Sequence, residues 1–85
     1  MLEVISAEHM GGYRIWVEFN SGEKGEVDIE DALWGPVFEP VRNPDVFERF
    51  RVSPILHTIT WENDADLAPE FLRDKLIEQR YAAAG

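Results

Sequence analysis

The sequence predicts an α+β fold, a small, mainly antiparallel sheet packed with one or two short helices. Three observations predict it. Tyr13, Ile15, Val17 and Phe19 alternate with Arg14, Trp16 and Glu18, and after Asn20-Ser21-Gly22 the chain returns with Val27 and Ile29 on one face. That is the pattern of an antiparallel hairpin closed by residues that tolerate turn geometry. Ile55 to Trp61 alternates again and predicts a later strand, while Leu72 and Leu76 predict a helix with an apolar stripe.

Taken in order, Met1 to Ala7 reads as a first strand, punctuated by Gly11-Gly12. The hairpin follows, then Glu30-Asp31-Ala32-Leu33 as a short helical turn ended by Trp34-Gly35-Pro36. Val37 to Val41 is expected to be extended, because a residue before proline is steered away from the α region. Asn43-Pro44-Asp45 has the form of a helix start: Asn as N-cap, Pro in the first turn, an acidic group favoured by the helix dipole. Val46, Phe47 and Phe50 supply the apolar side. In the later strand His57, Ile59 and Trp61 share one face, and Leu56, Thr58 and Thr60 the other. Pro69-Glu70 opens the last helix, with Phe71 and Ile77 flanking its leucines. Residues 1–80 form one domain, and 81–85 are expected to be a frayed tail.

Composition narrows the function. At 85 residues and 45% apolar content, with three Trp, two Tyr and five Phe, the chain has material for one modest core and little concavity for a pocket. There is no cysteine, so packing rather than disulfides or thiolate metal sites must hold the fold. No apolar run approaches the roughly 18 residues of a membrane span, which points to a cytoplasmic protein without membrane contact. Net charge is −9, from 17 acidic and 8 basic residues. Phosphate contacts dominate nucleic-acid affinity, so this chain is not expected to bind nucleic acid on its own. Acidity fits solubility, or attraction to a basic protein partner.

The acidic turn Glu62, Asp64 and Asp66 invites a cation-site reading, which its spacing removes. An EF-hand loop needs glycine at its sixth position and glutamate at its twelfth. Counted from Glu62 these are Leu67 and Arg73, and counted from Asp64 the sixth is Pro69. Asn63-Asp64 reads instead as a turn, with Asp66 accepting backbone hydrogens near the helix start. His9 and His57 lack the neighbours of a transition-metal site, and His57 is expected to pack beside Ile59 and Trp61. Ser6, Ser21 and Ser53 sit in no nucleophile elbow, and the glycines form no phosphate loop. No catalytic residue, cofactor or metal is therefore assigned. Trp16, on the face opposite the hairpin's apolar side, and Trp34 with Phe38, in a Gly-Pro loop, are the candidate partner-binding residues.

Phe19-Asn20-Ser21-Gly22 with Val27-Asp28-Ile29, Val37 to Val41, Asn43 to Phe47, and above all Thr60-Trp61-Glu62-Asn63 with Ala65 to Glu70 resemble the bacterial family called domain of unknown function 2442. The resemblance runs from about Val4 to Leu76. In that family the turn after the tryptophan usually reads Pro-Asn-Gly; here Glu62 and Asp64 replace the proline and glycine. The resemblance implies a small α+β fold, and for some members an antitoxin-like partnership with an adjacent gene product. Some relatives carry a helix-turn-helix after this domain; this chain is too short for one, so no DNA-binding role is implied. No catalytic residues carry over.

The expected function is thus a non-enzymatic protein–protein interaction module, antitoxin-like, with homodimerisation through a half-covered sheet as a further expectation. The alternative is a small ligand-binding domain or enzyme using His57 with Glu62 or Asp64.

Overall fold

Strand β1 (Val4–His9), β2 (Arg14–Phe19) and β3 (Lys24–Asp28) form an antiparallel sheet in that order, seen in a computed structural model that describes residues 1–84. The predicted hairpin is β2–β3, with Ile15 opposite Val27 and Val17 opposite Gly25. Its turn is closed by Phe19 N–H donating to Glu23 O, with Gly22 at φ +91°, where a side chain would be strained. The first strand begins and ends later than the sequence reading placed it. His9 pairs with Ile15, and a register shift between Val4 and Ser6 leaves Ile5 54% exposed.

Alternation divides the sheet into two faces. Ile15, Val17, Phe19 and Val27 are fully buried on one. Arg14, Trp16 and Glu18 lie on the other, Trp16 flanked across the strands by Glu8 and Glu26.

Helix α2 (Pro69–Ala84) covers the apolar face, as its stripe predicted, with Leu72 and Leu76 buried. It can approach β3 closely because residue 25 has no side chain: a β-carbon there would lie 2.7 Å from Leu76 Cδ1. Gln79 then lies along the free edge of β3. Its amide donates to Asp28 O and accepts from Asp28 N–H, both at 2.8 Å, as a neighbouring peptide would. Arg80 adds a bond to Lys24 O. An edge so occupied is closed to strand pairing. At the β2–β3 turn, the Ser21 hydroxyl and the Arg73 guanidinium hold the Glu23 carboxyl below the usual carboxylate range. That contact is present at neutral pH and fades as pH falls through the lowered value.

The middle segment differs most from expectation. Residues 30–32 form the predicted helical turn, of 3-10 type. Val37 to Val41, expected to be extended, is instead coiled into successive turns ending in a 3-10 turn, Pro40–Arg42. Glu39 takes φ −55° and ψ −46° despite the proline after it. Tertiary contacts override the local preference: Asn63 Nδ2 donates to Val37 O, and Phe38 meets Trp61 edge-on with ring centres 6.2 Å apart.

Helix α1 (Pro44–Phe47) is one turn, capped by the Asn43 side chain accepting from Asp45 N–H. The later strand shrinks to β5 (Ile59–Thr60), which pairs with β4 (Arg51–Val52) rather than with the first sheet. Residues 54–57 turn because Ser53 Oγ accepts from both Ile55 and Leu56 N–H, and His57 adopts φ +56°. His57 is therefore exposed, not packed beside Ile59 and Trp61. The histidine that meets core aromatic rings is instead the half-buried His9, in edge contact with Phe47 and Phe50. Trp61 is 2% exposed, and its indole N–H donates to Phe47 O at 3.0 Å. The following turn forms as predicted, with Asp64 at φ +66° and Asn63 Oδ1 accepting from Ala65 N–H. Asp66 does not cap the helix: it bridges Thr60 through its backbone, and no hydrogen bond of its carboxylate occurs among the described residues.

Two substitutions test these joints by urea unfolding. Gly25→Ala should destabilise by about 1–2 kcal/mol, since overpacking against Leu76 outweighs the lower entropy of the unfolded chain. An unchanged midpoint would show that the helix can shift away freely. Asp64→Gly should be neutral or slightly stabilising, whereas Asp64→Val should cost about 1–2 kcal/mol at this left-handed position; equal effects would rule out backbone strain there.

Candidate functional site

Trp34 is held outward by the residues on each side of it. Leu33 is fully buried, and its carbonyl accepts from Arg42 Nη1 at 2.9 Å. Trp34 N–H bonds to Ala32 O, and Gly35 turns the chain at φ +87°. With its backbone pinned in this way, the indole is 76% exposed. This is unusual for the largest side chain in a core-limited domain.

Beneath it runs a groove of about 350 Å³ between this loop and the start of α2, floored by Ala32, Phe38, Leu67 and Phe71. At one end, Lys75 Nζ donates to both Asp31 carboxylate oxygens at 2.8 and 2.6 Å, and lies 5.9 Å from the Phe71 ring centre. Val37, 55% exposed, extends the apolar surface along the loop. Beyond Asp31 a second, more polar hollow of about 470 Å³ opens among Asp28, Glu30, Arg42 and Gln79. The two hollows share Asp31.

Of the predicted partner-binding residues, Trp34 and Phe38 are brought together here, and Trp16 is not. It lies half-buried on the uncovered sheet face, among charged cross-strand neighbours. Phe71 and Lys75 complete the groove and were missed, though their spacing of four places them on one face of α2. A second exposed apolar feature, Ile55 at 82% and Leu56 at 53%, sits at the β4–β5 tip and was hidden by the strand reading.

The alternative His57 site is not assembled. His57 Nε2 lies 3.7 Å from Glu3, and Glu62 pairs with Arg49 at 3.7 Å. No hydrogen bond or ion pair joins His57 to Glu62 or Asp64 among the described residues. Among those residues, too, no three His, Asp or Glu side chains converge on a possible ion. None of their helices is long and apolar enough to cross a membrane.

No curated protein matches the chain. The solved structure of the candidate DNA-binding protein NE0471 from Nitrosomonas europaea is similar, with a TM-score of 0.66 at 27% identity. The likeness covers 87% of this chain and 45% of that one, so this chain spans less than half of that protein's length. The model of the family described as protein of unknown function (DUF2442) matches residues 4–78, taking in the hairpin, the Trp61 turn and the first part of α2. By that match the chain belongs to the DUF2442 family.

Proposed function

We propose that this domain is a non-enzymatic protein-recognition module whose contact surface is the Trp34–Phe38 groove. The observation that carries the reading is Trp34, 76% exposed over an apolar floor in a domain of only 85 residues. Exposed aromatic side chains at the centre of an apolar depression are the usual anchors of protein interfaces. An antitoxin-like role beside an adjacent gene product fits this arrangement, because a neutralising partner needs a surface rather than a reaction centre. The absence of cysteine suits a reducing cytoplasm.

Two other readings have less support. The description of NE0471 as DNA-binding belongs to a protein more than twice as long as the shared region. A net charge of −9 opposes phosphate contacts by this domain itself. Catalysis through His57 would require a cleft and a proton partner, and its near neighbour is Glu3, the residue just before β1, on an exposed surface.

The test is co-expression with the adjacent gene product. Trp34→Ala should weaken capture at least tenfold, the loss typical of an interface anchor. Because the indole is mostly exposed, unfolding free energy should stay within about 0.5 kcal/mol of the parent. Capture unaffected by Trp34→Ala would place the interface elsewhere, with Trp16→Ala and Leu56→Ala as the next variants.

A further inference from the structure

The geometry points to the chemistry of the occupant: a linear segment of another protein that seats an apolar side chain under Trp34 and a lysine or arginine beyond Asp31. This rests on the groove being the recognition surface, and it adds what the groove selects for.

The polar hollow carries three carboxylates, Asp28, Glu30 and Asp31, beside the cations Arg42 and Lys75. Neither cation balances the first two acids. Lys75 is bound to Asp31 and, with its side chain only 12% exposed, is committed to that contact. Arg42 donates to Leu33 O, and its guanidinium lies over the Tyr13 ring at 5.9 Å. Among the described residues neither Asp28 nor Glu30 has an ion-pair partner. Asp28 Oδ1 accepts from Glu30 N–H, which keeps the two residues in one fixed turn. An incoming cation would therefore meet unpaired carboxylates without displacing an existing partner.

The apolar half needs a different group. Phe38, Leu67 and Phe71 offer carbon surface, and Trp34 forms one wall. Because Asp31 belongs to both hollows, the two requirements fall next to each other. An apolar anchor followed closely by a basic side chain meets both. A second copy of this chain is a poorer fit, since two molecules of charge −9 repel at long range. An acidic segment would meet the same repulsion locally.

Selection of random linear peptides displayed on phage against the intact domain tests this, with the Trp34→Ala domain as counter-target. Clones that require Trp34 should share an apolar residue with lysine or arginine a few positions away. For the best synthetic peptide, Asp28→Asn combined with Glu30→Gln should raise Kd several-fold at low salt. That difference should shrink toward nothing near 1 M salt, where screening is nearly complete. Trp34-dependent clones without basic residues would overturn the charge inference while leaving the groove reading standing. No Trp34-dependent enrichment would overturn the groove reading itself. A dimer in light scattering that dissolves on Trp34→Ala would give the groove to a second copy and overturn the inference.

Discussion

The fold turns on one buried indole. Trp61 is 2% exposed, and its N–H reaches the Phe47 carbonyl, which lies at the end of the single-turn helix α1. A buried N–H without a partner would cost about 1–3 kcal/mol, so this bond fixes where α1 can sit. The ring also touches Phe38, Phe47 and Phe50, so one side chain gathers two segments, the turns around Phe38 and the stretch through α1 to Phe50, that have little regular structure of their own. Residues 30–50 contain no strand, and their only ladder is a series of short turns. Trp61, with the Asn63 amide on Val37 O, is what gives that loop a defined shape. The groove is a consequence, because Phe38 faces it from a position set by Trp61.

The other wall depends on the sheet. Helix α2 can lie close over β3 only because Gly25 leaves space for Leu76. The Gln79 amide on Asp28 then sets how far the helix lies along the strand. Those two contacts place Phe71 and Lys75 opposite Trp34, one and two turns into the helix. They also remove a hazard. In a three-stranded sheet, two strands are edges, and a bare β3 would invite pairing with another chain. Here the same residues that dock the helix close that edge.

Much of this was legible in the residues, and the failures have a common cause. The hairpin, the Asn43 cap, the Asn63-Asp64 turn and the leucine stripe are local features, each set by neighbours within a few positions, and each forms as read. Val37 to Val41 and Ile55 to His57 were misread because distant or unforeseen partners decide them. The pre-proline preference at Glu39 is worth less than packing Phe38 on Trp61, more than twenty positions away. At Ile55, apolar alternation suggested a strand, but the Ser53 hydroxyl takes up the backbone N–H groups that a ladder would need. The groove was half visible for the same reason. Trp34 stands out in the sequence as an aromatic in a loop, whereas Phe71 only flanks the leucine stripe of α2, and nothing local shows that it lines a groove with Trp34.

Charge and exposure explain each other in this molecule. An indole left 76% exposed would ordinarily promote self-association, particularly in a small domain with a half-covered sheet. A net charge of −9 opposes that by keeping like molecules apart. The same field draws basic surfaces in from a distance of about a Debye length, roughly 8–10 Å at moderate salt. In the proposed mode, apolar contact under Trp34 would act only after that approach, over a few ångströms, and add the affinity that charge alone does not supply. On the proposed reading acidity does two jobs at one surface: it opposes self-association through the exposed indole, and it favours the approach of basic chains over acidic ones.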